Sequence, residues 1–252
     1  MEQYKKEFAL TLAETGALFF DDNLVLKDGR PTPYFVNMAM FRTGKLAMRL
    51  GSFYAGMMVS EGLDTRTDII IGPSYKGSSI ALATAIALWQ DYGRDVLFDY
   101  DRKEAKSHGE ASSRKSLLVN RTLFDGCRIF IVDDVATSMA TKEELLEKIR
   151  YEAMALGISY EIVGIGIGVD REQTTAVYAE DGKLKLGVRG EDAIGVFEAK
   201  TGVRVFRVAR ISEVVGFLYE ERIPVMIKGK KTPIGDDIKK RFDNYLKTYG
   251  PR

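Results

Sequence analysis

Apolar residues recur along the chain at helical spacing, then in short unbroken runs, then at helical spacing again, and this alternation predicts the architecture. Phe8 and Leu12 place a short amphipathic helix over residues 4–15, and residues 24–27, an Asp28-Gly29 turn and residues 34–36 read as a hairpin. A helix over 44–62 follows, with Leu46, Leu50, Phe53 and Met57 on one side. From there strands and helices alternate: strands over 69–71, 96–100, 129–132, 161–169 and 203–208, and helices over about 79–89, 142–156, 193–200 and 211–219. That order predicts an α/β fold, a mostly parallel central sheet covered by helices on both faces. In such sheets ligands bind beyond the carboxyl ends of the strands.

Two segments stand outside the alternation. Residues 101–121 form a polar stretch whose length favours a functional lid or disorder. Residues 223–252 are basic and end in a helix over 236–249, which divides the chain into a main domain, 1–222, and a C-terminal helical extension, 223–252. Gly164, Gly166 and Gly168 imitate a dinucleotide fingerprint, but they lie inside an apolar strand with no helix at the needed spacing, so they are assigned to close packing.

Composition narrows the function classes. A chain of 252 residues, 45% of them hydrophobic, can bury a full core. Its formal net charge of +1 supplies no global field for nucleic acid or an anionic membrane, so any anion recognition has to be local. The single cysteine, Cys127, excludes an intramolecular disulfide and a multi-thiolate zinc site, and its place before an apolar strand reads as packing. No apolar run approaches the roughly 20 residues that cross a bilayer, and the start MEQYKKEF lacks a signal-peptide core, which makes the cytoplasm the expected location.

The candidate chemistry begins at the strand 129–132. It delivers Asp133 and Asp134 to the open end of the sheet, and a short hydroxyl-bearing loop leads into a helix that Thr141 and Glu144 would open as a capping box. Loop N–H groups and the helix dipole suit a phosphate monoester, and adjacent carboxylates suit sugar hydroxyls, which together describe a ribose phosphate. The competing reading is that the two acids merely end a strand and cap a turn. The segment resembles the phosphoribosyl pyrophosphate motif of type I phosphoribosyltransferases. The resemblance implies that Asp133 and Asp134 lie at the ribose hydroxyls, with Val135, Ala136, Thr137, Ser138, Met139, Ala140 and Thr141 around the 5-phosphate and Thr137 also near the base. Met139 and Ala140 depart from the family's Gly-Thr pair. A side chain at the glycine position can obstruct close approach of a phosphate and disfavours positive φ, and Ala140 removes one hydroxyl, which Thr141 could replace.

Arg102, Lys103, Lys106 and His108, the only histidine, fall within seven residues of an otherwise neutral chain. Such a cluster suits a departing pyrophosphate; the alternative is a solvated loop balanced by Glu104 and Glu110. The order Arg-Lys-Glu-Ala-Lys-x-His-Gly-Glu resembles the catalytic loop of orotate phosphoribosyltransferases. That resemblance implies that all four residues contact the pyrophosphate side and that Lys106 and His108, with Asp133 and Asp134, serve catalysis, Lys106 being the most rate-sensitive. Because most of these residues reach into the neighbouring subunit in that family, it also implies a homodimer. Gly72 to Gly77, carrying Tyr75 and Lys76, resembles the family's pyrophosphate-binding loop, its glycines permitting close approach to an anion.

On the base side, Lys27-Asp28-Gly29-Arg30 and Pro33-Tyr34-Phe35-Val36-Asn37 resemble the family's N-terminal hood, here about 1–43. The resemblance puts Lys27 on both substrates and Tyr34 and Phe35 beside orotate. Val169-Asp170-Arg171 resembles the segment whose arginine recognises orotate, and an arginine fork can hold a carboxylate through two hydrogen bonds. Hairpin packing for the aromatic pair and an exposed charge for Arg171 are the alternatives. Taken together, the resemblance implies a type I phosphoribosyltransferase fold with a small hood, and attack of an orotate nitrogen on the anomeric carbon with loss of pyrophosphate. The implied cofactor is magnesium, held mainly by substrate oxygens and water and not by protein ligands. A transferase for another base and a nucleotide sensor remain as rivals; retention of Lys76, Lys106 and His108 argues against the sensor.

Overall fold

The structure is a computed structural model that describes residues 1–103, 116–135 and 139–251. Five strands, β3 (Ile69–Gly72), β4 (Leu97–Tyr100), β5 (Cys127–Val135), β6 (Tyr160–Asp170) and β7 (Val205–Arg210), form one sheet in the order β4-β3-β5-β6-β7. Every neighbouring pair is parallel, so all five carboxyl ends open on one rim. The strand cores are unbroken apolar runs because both faces are covered: Ile69 to Ile71 and Ile129 to Val132 have no exposed surface.

Alternate residues of these strands feed two separate cores. Ile70, Phe130, Val132 and Val208 pack with helices α1 (Gln3–Thr15), α2 (Gly44–Ser60), α3 (Lys76–Tyr92) and α6 (Ile211–Glu220) on one face. Ile69, Ile71, Ile129, Ile131, Ile165 and Ile167 pack with α4 (Ala140–Leu156) and α5 (Ala193–Thr201) on the other. The β6 glycines make room for phenyl rings. A Cβ at Gly164 would sit 2.6 Å from the Phe206 ring, and one at Gly166 would sit 2.9 Å from that of Phe130. Close packing is therefore their role.

A second sheet contains the segment expected to be a hood. Strands β1 (Leu18–Val25) and β2 (Pro31–Val36) pair as the expected hairpin, turning at Gly29, whose φ of 89° only glycine adopts without strain. β1 begins earlier than the apolar alternation suggests, because its register shifts between Phe20 and Leu24 and breaks the two-residue period. The far end of the chain completes this sheet. β8 (Val225–Ile227) runs parallel to β1, and β9 (Lys230–Thr232) pairs antiparallel with β8. Helix α7 (Asp236–Tyr249) then buries Phe242, Tyr245 and Tyr249 in the same core as Phe20 and Tyr34. The segment from 223 onward, set apart by its basic composition, is thus joined to the hood by strand pairing and by an aromatic core.

Candidate functional site

Of the sequence-predicted residues, Asp133, Asp134, Lys76 and Arg171 lie at or just beyond the carboxyl ends of β5, β3 and β6. β5 extends through both acids to Val135, and Asp133 and Asp134 are buried, at 7% and 8% exposure. Each is held by a lysine. Lys142 Nζ lies 2.5 Å from Asp133 Oδ2 and donates to the Val135 carbonyl at 2.8 Å, while Lys76 Nζ donates to Asp134 Oδ2 at 2.7 Å. The remaining oxygens accept backbone N–H groups, Asp133 Oδ1 from Asp134 and Asp134 Oδ1 from Val135. Tyr54, wholly buried on α2, donates its hydroxyl to the Asp133 carbonyl at 2.5 Å. Burial pushes the Asp133 carboxyl above its ordinary range against the opposing pull of Lys142.

The start of α4 differs from expectation. The helix begins at Ala140, and Met139 occupies the N-cap at φ 57° without a side-chain cap. Thr141, already the second helical residue, does not form the predicted capping box; Glu144 instead pairs with Lys148, four residues on, at 2.7 Å. Met139 does adopt the left-handed backbone expected to need glycine, but its side chain is 2% exposed in the core containing Ile131 and Leu145. The side chain is therefore turned into the protein and packed with Ile131 and Leu145. Lys142 was missed by motif reading. A signal was present, since Lys142, Leu145, Ile149 and Ala153 share helical spacing on the buried face of α4, where a lysine needs a partner.

Lys76 is the first residue of α3, not a loop residue, and Tyr75 before it is 80% exposed. The glycines flanking this turn have a local steric reason: a Cβ at Gly72 would lie 2.0 Å from the Gly77 carbonyl oxygen. Asp101 ties the turn to the end of β4, its Oδ1 accepting the Ser74 N–H at 2.6 Å and its Oδ2 the Lys148 ammonium at 2.6 Å. Arg102 follows it, donating its N–H to the Leu117 carbonyl, and Lys103 is exposed. Lys106 and His108, together with Ala136, Thr137 and Ser138, lie outside the described residues.

The base-side candidates meet where the hood approaches the end of β6. Arg171 is 8% exposed, with its guanidinium 5.4 Å above the Tyr34 ring and 5.6 Å above that of Phe35. Its Nε and Nη2 are buried and find no hydrogen-bond partner among the described residues. Asp170 fixes the turn after β6, accepting the Glu172 N–H at 2.8 Å. Tyr34 is fully buried, donates its hydroxyl to the Arg171 carbonyl at 3.0 Å, and has its phenol pushed well up by burial. Phe35, on the opposite face of β2, is half-buried, and Lys27 is exposed at the hairpin turn. Beside Lys27, Arg30 pairs with Asp28 at 2.6 Å.

A rim with two lysine-held acids toward one end and, at the other, a buried arginine whose Nε and Nη2 have no partner among the described residues suits a substrate charged at both ends. Comparison with known proteins agrees. No family model matches the chain. An orotate phosphoribosyltransferase of Clostridium botulinum (strain Alaska E43 / Type E3) is 34% identical over 252 residues, all of both chains. One from Thioalkalivibrio sulfidiphilus is 38% identical over 221 residues, 88% of this chain and 91% of that one. The crystal structure of orotate phosphoribosyltransferase from Francisella tularensis superposes with a TM-score of 0.70 at 23% identity, covering 97% and 98% of the two chains, and shares the fold. On full-length similarity above 30% identity, reinforced by the common fold, the chain belongs to the orotate phosphoribosyltransferase family.

Proposed function

We propose that the two halves of the rim divide the substrates between them, phosphoribosyl pyrophosphate on the side of β3, β5, α3 and α4, and the base between the hood and the end of β6. The chain is a pentosyltransferase of de novo pyrimidine synthesis that converts orotate and 5-phosphoribosyl 1-pyrophosphate into orotidine 5'-monophosphate and pyrophosphate. On this reading Asp134 and Asp133 face the ribose, Val135 and 136–141 surround the 5-phosphate, and Tyr75 and Lys76 meet the pyrophosphate. Arg102, Lys103, Lys106 and His108 would come to that group from the loop that follows β4, across the interface of a homodimer. Arg171 takes the orotate carboxylate, Phe35 lines the base and Lys27 lies at the mouth. Tyr34, being fully buried, acts on the base through Arg171. The observation that carries the assignment is that the buried Nε and Nη2 of Arg171, over an aromatic floor, have no partner among the described residues.

The donor set suits magnesium carried by substrate. Both motif acids already accept from lysines, so pyrophosphate and ribose oxygens with water would hold the ion. Bound there, it would neutralise charge developing on the leaving group. The chain's own part is electrostatic and positional: lysines matched to phosphate oxygens, and an arginine fork that orients the planar base. Among the described residues no helix is long and apolar enough to cross a membrane.

The test is steady-state kinetics on Arg171→Met, following loss of orotate absorbance. Losing a charge-assisted pair should raise KM for orotate by about 10- to 100-fold while leaving KM for phosphoribosyl pyrophosphate nearly unchanged. An unaltered orotate KM would remove Arg171 from the base subsite.

A further inference from the structure

The C-terminal helix carries no residue of the reaction just proposed, yet it is built into the base side. Phe242, Tyr245 and Tyr249, three and four residues apart, form its buried face. Phe242 stands edge-on to Tyr34 with ring centroids 5.3 Å apart, and Tyr245 meets the same ring at 5.9 Å and 88°. At the end of the helix, the Tyr249 carbonyl accepts both the N–H and the hydroxyl of Thr174, at 2.8 and 2.9 Å. The Tyr249 hydroxyl accepts the Gly187 N–H at 2.8 Å, and its ring lies 5.4 Å from the Arg30 guanidinium. One helix face therefore touches the strand bearing Tyr34, the turn bearing Arg30, and the segment that follows Arg171.

The geometry points to α7 as a positioning and specificity-determining element of the base subsite: Phe242, Tyr245 and Tyr249 set the direction in which Arg171 presents its N–H groups, without touching the base. Stacking on aromatic faces aims a guanidinium only weakly, so its direction depends on how firmly those rings and its own backbone are held. The Tyr34 ring and the backbone both lead to α7, while the Phe35 ring packs on Phe19. The Tyr34 ring is clamped by Phe242 and Tyr245, its hydroxyl holds the Arg171 carbonyl, and Thr174, three residues further on, is tethered to Tyr249. Two parallel hydrogen bonds to a planar carboxylate tolerate little displacement, so slack in this scaffold should weaken the carboxylated base first. The ring contacts and hydrogen bonds of Phe242, Tyr245 and Tyr249 fall on the hood and on the segment after β6, so the effect should be one-sided.

This inference rests on Arg171 being the carboxylate clamp, and the experiment separates the two. Full-length Phe242→Ala, Phe242→Leu and Tyr249→Phe are compared in steady-state kinetics with orotate, phosphoribosyl pyrophosphate and magnesium, with thermal melting as the folding control. Phe242→Ala should raise KM for orotate about tenfold, keep KM for the sugar substrate within about twofold, and lower the turnover ratio of orotate to uracil. Phe242→Leu, which restores bulk, should recover most of the loss. Should Phe242→Ala fail to fold, Tyr249→Phe, which removes only the hydroxyl on Gly187, should show the same asymmetry at about two- to threefold. Equal rises in both KM values, a fall in kcat alone, or no change would overturn the inference. If Arg171→Met raises orotate KM and the helix variants do not, only the role of α7 falls; if Arg171→Met is silent, the base-subsite reading falls with it.

Discussion

On the base side Arg171 keeps two buried N–H groups without a partner among the described residues, whereas on the sugar-phosphate side both motif acids already accept from lysines. The first arrangement holds donors in place for an acceptor, through rings and backbone that α7 immobilises. The second is a set of ion pairs with which, on the proposed reading, incoming phosphate would compete. These pairs are unequal. Lys76 is 62% exposed, so its attachment to Asp134 is screened and readily exchanged, while the side chains of Lys142 and Asp133 are 5% and 9% exposed. On the proposed reading, Lys76 moves to pyrophosphate and releases Asp134 to the ribose, while Lys142 keeps Asp133 fixed.

The most damaging way to break the contrast is Lys142→Met. Removing one partner of a buried pair strands a carboxylate and should cost about 3 to 5 kcal/mol, read from urea unfolding. Lys142→Met combined with Asp133→Asn should regain at least half, because a neutral amide needs no counter-charge. The pH dependence has a definite sign. Burial already raises the Asp133 carboxyl, and loss of Lys142 raises it further, so in the variant an ionised acid costs stability above its unfolded pKa of about 4. The difference from the parent protein should therefore shrink as pH falls through the raised folded value. A loss below about 1 kcal/mol at neutral pH would make the two lysines equivalent and dissolve the distinction.

A smaller effect is expected from Met139→Gly, which sharpens the same half. Glycine would relieve a left-handed backbone worth about 1 to 2 kcal/mol, but it removes a side chain that is 2% exposed, worth about 2 to 5 kcal/mol. The net result should be a loss of about 1 to 3 kcal/mol, with calorimetric affinity for phosphoribosyl pyrophosphate unchanged within about twofold. Markedly tighter binding would show that Met139 does reach the phosphate.

These two residues also show where the sequence was readable. Strand runs such as Ile69 to Ile71 and Ile129 to Val132 announced the parallel sheet, because burial on both faces demands continuous apolar residues. The acids, Lys76 and Arg171 were legible as motif positions at strand ends. The direction of the Met139 side chain was not, because a positive φ and a glycine position say nothing about which way a tolerated side chain turns. Nor was the pairing of residues 225–227 with β1, since short strands distant in sequence leave no periodic mark. Basic composition drew attention to surface residues of the tail, while Phe242, Tyr245 and Tyr249 carried its packing.

The mildest expected effect is that of Tyr54→Phe. Its hydroxyl donates to the Asp133 carbonyl from a fully buried position on α2, and burial pushes the phenol well above its ordinary range, so it stays protonated and able to donate across the working pH. Deleting the oxygen costs one hydrogen bond, about 1 kcal/mol, but β5 at Asp133 remains paired with β6 at Ile167 and cannot move far. Stability should fall by about that amount while both KM values hold. If KM for phosphoribosyl pyrophosphate rises instead, with orotate KM unchanged, then the acids are aimed by α2 as the arginine is by α7, and the sugar-phosphate half would prove as preorganised as the base half.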